Sequence, residues 1–554
     1  MFFRRKGCKK TKNSYINMLG KIIKDLYSNE IRYGMSKVHR EHWGSNFGFI
    51  MATVGSAIGL GNVWKFPYIT GMNGGGAFVL VYLLCVISIG LPVMLAEFAI
   101  GRAAQSDVVG CFTRFSHYRT SIPKFFAGYG LGLATMLFCH DSIALGCVIA
   151  VLSILVWRYG WRAAGFSAVA IALLILSYYA MIGGWFGVYI WKAFTGQLDF
   201  ANSQVAAMAF ANVASNEVLT GCMTVLFLFI CSGVCWFGVK QGVEKASKLL
   251  MPLLFALLIV LAVRGLTLDG AAVGVNFFLA PDFSKLTTHG LLEAMGHSFF
   301  TLSLGMGIAV TYGSYLPRNR NIFSSAVMVC ILDTCMALLA GLAIFPAVFS
   351  AGMNPGAGPG LLFNILPVSF QAIPGGMAPM WNGMFFVLMF IAALTSGISL
   401  FEVGIATCMT QWKLNRRMAA FLCFAGVSVF SILSSVSNVS WENLPKIEAF
   451  FVFAFGSARS SFFDLLDYVA SSWVLPLNGL AVAIYVGWIW GAGRAVRELY
   501  RQGQDVQMLA VERTQKIKML LLRRLPVWAW VFFILFMTPV LVLITFLFTA
   551  GFFS

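Results

Sequence analysis

Residues 55–67 read Gly55-Ser56-Ala57-Ile58-Gly59-Leu60-Gly61-Asn62-Val63-Trp64-Lys65-Phe66-Pro67. Three glycines fall within seven residues of an apolar stretch, 46–69. That stretch is long enough to cross a bilayer, for which about 20 residues suffice. A glycine inside a helix costs about 1 kcal/mol relative to alanine, so the spacing predicts a helix interrupted at membrane depth. Non-helical backbone survives there only where it is buried in protein or lines a cavity. A second string, Thr301-Leu302-Ser303-Leu304-Gly305-Met306-Gly307, repeats the feature five spans later. Paired interrupted helices in matching places of two halves point to a midplane binding site. Glycine-mediated helix packing is the bland alternative. Asn62, Thr301 and Ser303 beside the breaks favour a site.

The rest of the chain supplies the membrane context. It has 554 residues, 59% hydrophobic and only 11% charged, whereas a soluble domain carries roughly 25% charged residues. Apolar runs predict eleven spans, near 46–69, 77–102, 163–193, 221–239, 247–266, 291–315, 322–350, 379–411, 416–436, 462–490 and 523–549. The formal charge of +18 is not spread evenly. Lys and Arg crowd residues 1–40, 102–124, 240–248, 318–320, 413–417 and 494–524, while loops 195–220 and 351–378 carry none. This alternation is the positive-inside pattern. It orients the N-terminus to the cytoplasm, predicts a multi-pass protein of a bacterial inner membrane contacting lipid, and needs no nucleic acid. Eleven spans then place the C-terminus outside. The basic N-terminus lacks the apolar core of a secretory signal, and Met35 is a candidate start. Most of the 12 cysteines lie in apolar runs and read as small hydrophobes. No disulfide framework or zinc spacing is present.

The expected organisation has three parts: a basic cytoplasmic extension (1–40), a core (41–490), and a cytoplasmic loop with a last spanning helix (491–554). Residues 125–157 interrupt the core. They are apolar around Cys139-His140-Asp141 and flanked by basic residues on both sides. A short hairpin that dips in and returns keeps both flanks inside. His140 and Asp141 read first as turn caps, and second as a metal or proton site.

An unwound helix frees carbonyl oxygens for a small hard cation and N–H groups for a carboxylate. Each break therefore offers both halves of a site for sodium and an amino acid. The nearby ligands are short oxygen side chains: Asn62, Thr301, Ser303, Thr395 and Ser396. Asp333 lies inside span 322–350, and an intramembrane carboxylate is a functional candidate by default. A bound cation would stabilise its charged form; a proton relay is the other reading.

Arg40-Glu41-His42-Trp43, the 55–67 string and Asn73-Gly74-Gly75-Gly76-Ala77-Phe78 together resemble the neurotransmitter:sodium symporters. Tyr178-Tyr179 with Trp185, Phe299 to Gly305 and Leu394-Thr395-Ser396 extend the match over about residues 40–490. The resemblance implies an all-α membrane protein with the five-plus-five inverted-repeat fold of the bacterial leucine transporter. It implies a sodium-coupled amino-acid symporter and not an enzyme. Ala57, Asn62, Thr301 and Asp333 would form a sodium site shared with the substrate carboxylate. Gly55, Ile58, Ala392, Thr395 and Ser396 would form a second. Leu60, Gly61 and Tyr179 would hold the carboxylate, and Ser303 the ammonium. Ile175, Phe300, Met306, Gly397 and Leu400 would line the side-chain pocket. Lys65 and Asp467 resemble an outer gate.

Departures from the pattern refine the expectation. Gly59 lacks the carboxylate that monoamine carriers place there, which favours amino acids. Asp333 replaces a neutral Asn of chloride-dependent members, and Ala337 offers no hydroxyl, so two sodium ions and no chloride are expected. Gly397 and Met306 read as a roomy pocket for a large apolar or aromatic amino acid. His297 stands where the family has Gln, as a hydrogen-bond partner of Asp333 or as a titrating group. Arg40 should meet an acid near the end of the eighth span, but Thr410 occupies that position; Glu402 is another partner for Arg40. A monomer or weak dimer is expected. An amino-acid sensor or uncoupled carrier on the same scaffold is the alternative, as is a proton-driven carrier. An enzyme using His140-Asp141 or His297 lacks any accompanying nucleophile.

Overall fold

A polar residue ahead of an apolar run starts several of the helices. Ser45 accepts the N–H of Gly48 at 2.9 Å, Asn202 that of Val205 at 2.9 Å, Asn216 that of Leu219 at 3.0 Å and Asn321 that of Ser324 at 3.1 Å. Such caps satisfy N–H groups that have no partner in the first turn. The computed structural model describes residues 41–115, 160–355, 361–371, 377–436, 462–499 and 528–549. Every regular element among them is helical.

The first expected span is a pair, α1 (Asn46–Ala57) and α2 (Gly61–Met72), bent by 48°. α3 (Gly76–Ala104) and the short α4 (Val108–Arg114) follow. Then come α5 (Arg162–Phe194), the surface helix α6 (Ser203–Ala214), α7 (Glu217–Trp236), α8 (Val239–Leu266) and α9 (Ala271–Leu279). The sixth span is again two helices, α10 (Thr288–Thr301) and α11 (Ile308–Ser314). α12 (Ile322–Ser350), the short α13 (Leu362–Gln371), α14 (Ala378–Gln411), α15 (Arg416–Val436), α16 (Phe462–Leu499) and α17 (Trp528–Phe548) complete the order.

Nine described helices are long and apolar enough to cross a membrane, and the bent α1–α2 pair makes a tenth span. Each of the eleven expected intervals carries helix. The short α4, α6, α9 and α13 are additions that apolar runs did not announce. The extension 1–40 with Arg40, and the expected hairpin at 125–157, lie outside the described residues. α5 and α14 form the most extensive helix pair and have 72% and 83% of their apolar windows buried. By contrast α17 has 22% buried, so it presents its apolar surface outward, as a peripheral helix in lipid does.

Candidate functional site

The two breaks face each other, the Ser303 hydroxyl of one meeting the Ser56 carbonyl of the other. α1 stops at Ala57 because Ile58 turns extended, with ψ 90°. α2 opens with a π-helical turn, Gly61–Lys65, directly ahead of Phe66 and Pro67. The wider turn is a common accommodation beside a proline, which cannot donate its N–H. In the sixth span, Ser303, Gly305 and Gly307 have φ of 52°, 76° and 73°. The left-handed region costs a side-chain-bearing residue about 1–2 kcal/mol. Ser303 bears it while its hydroxyl donates to the Ser56 carbonyl at 2.9 Å, which ties one break to the other.

At the first break α2, α10 and α12 converge. The Asn62 amide nitrogen donates to the Asp333 carbonyl at 3.0 Å and to its carboxylate at 2.9 Å. The Asn62 amide oxygen accepts from the Thr301 hydroxyl at 2.9 Å. That hydroxyl also lies 3.3 Å from Asp333 Oδ2, and the Tyr82 hydroxyl of α3 lies 3.5 Å from the same oxygen. All four side chains are at most 1% exposed. A carboxylate, an amide oxygen and hydroxyls buried together are the donor set of a hard cation. Ala57, Leu60 and Ile58 are buried beside them along the α1–α2 break.

Behind α1 lies a second group. The Ser396 hydroxyl of α14 is 3.3 Å from the Gly55 carbonyl and 3.2 Å from that of Ser56. The Thr395 hydroxyl lies 3.1 Å from the carbonyls of Ile391 and Ala392. Gly55 permits the approach, since a Cβ there would lie 3.2 Å from Thr395 Cβ and 2.9 Å from Met251 Sδ. Between the groups, the Leu60 N–H points at the Tyr179 hydroxyl, 3.3 Å away. Gly61 faces Phe300, whose ring lies under Lys65 Nζ at 4.6 Å from the centroid. Ile175, Met306 and Leu400 are buried.

Gly397 is a different matter. A Cβ there would lie 2.9 Å from Cys231 Sγ and 3.3 Å from Phe227, so the glycine gives its room to α7 rather than to an open pocket. The neighbouring Cys235 donates to the Ile398 carbonyl at 3.4 Å. Among the described residues no group of three or more His, Cys, Asp or Glu is placed to hold a metal.

Lys65 and Asp467 are not ion-paired with each other among the described residues. Asp467 accepts instead from the hydroxyls of Tyr178 and Ser471, both at 3.0 Å. His297 does not hydrogen-bond to any described residue through either ring nitrogen. It stacks on Phe66 at 5.9 Å and lies tilted against Tyr82 at 5.4 Å between ring centroids. Its route to Asp333 is therefore through Tyr82. Glu402 is held by Arg416 and the Tyr315 hydroxyl. Thr410 turns its hydroxyl back to the Ala406 carbonyl at 2.8 Å.

Sequence reading missed what holds the second break open. Glu97 of α3 accepts the Gly305 N–H at 2.8 Å, and Asn478 of α16 donates to the Gly305 carbonyl at 3.0 Å. Both are buried. A Cβ on Gly305 would sit 2.8 Å from the Leu475 carbonyl. A carboxyl inside an apolar run was the available signal for Glu97.

Comparison with known proteins gives three concordant results. The model of the Sodium:neurotransmitter symporter family matches residues 40–140 and 216–553. The uncharacterized sodium-dependent transporter YhdH of Bacillus subtilis (strain 168) is 35% identical over 452 residues, covering 82% of this chain and 88% of the relative. An uncharacterized sodium-dependent transporter of Haemophilus influenzae is 31% identical over 460 residues, covering 81% and 89%. The crystal structure of MhsT in complex with L-phenylalanine superposes with a TM-score of 0.71 at 36% identity, over 92% of this chain and 99% of that one.

Proposed function

Because the chain belongs to the sodium:neurotransmitter symporter family, whose members include sodium-dependent transporters, we propose that it is a sodium-coupled symporter that imports a neutral amino acid by alternating access. The observation that carries this reading is the meeting of Asn62, Thr301 and Asp333 where the two broken spans face each other. Sodium is cargo, not a resident cofactor. One ion is assigned to Asn62, Thr301 and Asp333 with the Ala57 carbonyl. A second is assigned to Thr395 and Ser396 with the carbonyls of Gly55, Ile58 and Ala392. The N–H groups of Leu60 and Gly61, with the Tyr179 hydroxyl that the Leu60 N–H meets, take the substrate carboxylate next to the first ion. Ion and substrate then stabilise each other by direct charge contact, which is a coupling free energy in the thermodynamic sense. Bringing α2, α10 and α12 together around one ion gives sodium a reason to favour the closed arrangement of both breaks.

The substrate assigned is a large apolar or aromatic amino acid. The phenylalanine in the MhsT crystal supports that choice, and Gly59, which lacks the carboxylate a monoamine carrier places there, supports an amino acid over a monoamine. Asp333 supplies a fixed negative charge beside the sodium, so chloride is not required. Residues 41–490 are assigned as the transporter core, 491–554 as a cytoplasmic loop and last span, and 1–40 as a cytoplasmic extension of a bacterial inner-membrane protein.

Uptake of labelled amino acids into proteoliposomes, with and without an inward sodium gradient in chloride-free buffer, tests the reading. Accumulation above equilibrium that needs sodium, and that Asn62→Ala abolishes, is the expected result. Binding of label with no accumulation under any ion gradient would turn the chain into a sensor or an uncoupled carrier.

A further inference from the structure

Helix α7 carries none of the residues assigned to the site, yet it fills notches in two helices that do. Phe227 and Cys231 lie one turn apart on α7, and both are buried. On the α5 side, a Cβ added to Gly183 would sit 2.6 Å from Phe227 Cε2 and 2.8 Å from its Cζ. On the α14 side, a Cβ added to Gly397 would sit 3.3 Å from Phe227 Cε1 and 2.9 Å from Cys231 Sγ. The two edges of one aromatic ring therefore stand where two side chains are missing, on two different helices. Phe390 of α14 meets the same ring edge-to-face, with 5.7 Å between centroids.

The notches lie level with the site. Gly183 is one turn beyond Tyr179 and two beyond Ile175 on α5, and residues four apart share a helix face. Gly397 directly follows Ser396 on α14 and comes just before Leu400. The ring thus spans the two helices that carry Ile175 and Leu400, which the family resemblance places in the side-chain pocket. It has no room to retreat. A Cβ on Gly184 would lie 2.9 Å from the Met223 carbonyl carbon and from the Thr224 nitrogen, so α7 is seated on α5 through its backbone. One turn past Cys231, the Cys235 thiol donates to the Ile398 carbonyl and ties α7 to α14.

We propose that Phe227, backed by Cys231, is a spacer that sets the separation of α5 and α14 behind the substrate pocket, and so sets the size of side chain the carrier accepts. Phe227 is a positioning residue: it acts through the two helices it holds apart. Three features suit it to that task. The ring is rigid, whereas an aliphatic side chain could change rotamer to absorb a shift. Both of its edges are in contact, so its width is transmitted to both helices. Protein interiors are packed too densely to absorb a change of a few atoms without a shift of their surroundings. A misfit of a single methylene in an apolar pocket already changes discrimination by about 10- to 200-fold, so a small change in separation is enough to matter. The inference rests on the transport reading above.

Sodium-driven uptake of labelled L-phenylalanine and L-alanine by the full chain in proteoliposomes tests it, read as the ratio of the two kcat/KM values. Phe227→Leu, which withdraws the outer edges of the ring, is expected to lower the phenylalanine-over-alanine ratio about tenfold. Combining it with Gly183→Ala, whose methyl group takes up room the ring has left, is expected to restore most of the ratio. If thermal unfolding in detergent shows that Phe227→Leu alone does not fold, Phe227→Met replaces it, with the same direction expected: it keeps much of the volume and loses the rigidity. A ratio unchanged in a variant that folds and still accumulates amino acid overturns the spacer, because an ordinary packing contact slows both substrates alike. A fall in the ratio that Gly183→Ala does not reverse overturns it as well. No sodium-driven accumulation of any amino acid by the unaltered chain overturns the transport reading and the spacer with it, whereas normal accumulation with unmoved ratios overturns the spacer alone.

Discussion

At the residue scale, Asn62 and Asp333 anchor the proposed site: the Asn62 amide donates to Asp333 twice, and both side chains are fully buried. Removing one leaves a buried polar partner unsatisfied, which costs about 1–3 kcal/mol, besides any loss of ion binding. Gly59 is held to its identity by space as well as by charge. A Cβ there would lie 2.5 Å from Ser396 Oγ and 2.8 Å from the Tyr179 hydroxyl. Gly59→Asp is therefore expected to abolish amino-acid uptake, measured in the same proteoliposomes, because the added carboxylate occupies the place assigned to the substrate's own. Asp333 carries a second prediction. Asp333→Asn combined with Ala337→Ser should make uptake depend on external chloride, and uptake that stays equal with gluconate in place of chloride would refute the charge-balance argument. His297 shows the limit of sequence at this scale. The family resemblance places it near Asp333, but only packing decides that it lies tilted against Tyr82 rather than making a bond of its own.

At the element scale, the two breaks are held by different means. The first is fixed by an extended Ile58 and by the hydroxyls of Ser303 and Ser396 on carbonyls left free at the end of α1. The second is held by side chains of unbroken helices, Glu97 and Asn478 on the N–H and carbonyl of Gly305. Gly305→Ala would force a Cβ into a φ of 76° and against the Leu475 carbonyl. A loss of about 1–3 kcal/mol is expected, seen as a lower thermal midpoint in detergent. Glu97→Ala removes the acceptor of a buried N–H and should destabilise by a similar amount, whereas Glu97→Gln, which keeps an acceptor oxygen, should retain most of the stability. The glycine spacing made the existence of both breaks legible. It could not identify the clamp, because Glu97 lies some 200 residues away in sequence and meets Gly305 only after α3 and α11 have packed.

At the scale of the whole molecule, the long helices α5 and α14 form a buried frame, and α1 and α11 of the broken spans pack against α14. If sodium and substrate bind where the breaks face each other, they stabilise the folded carrier by mass action. At a hundredfold excess over Kd the gain is about 2.7 kcal/mol. A rise in thermal midpoint with sodium and phenylalanine together, absent in Asn62→Ala, is the expected outcome. The sequence by itself determined the membrane class, the eleven helical intervals, the two interruptions and the oxygen-rich residues beside them. Hydropathy and helix propensity are local quantities, and each residue carries its own share of them. Only the tertiary structure decided that Gly397 makes room for Cys231 and Phe227 of α7, that Lys65 lies over Phe300 while Asp467 answers to Tyr178, and that Glu402 belongs to Arg416. Which partner a buried charge or a missing side chain meets depends on how distant helices are brought together, and no local pattern records that choice.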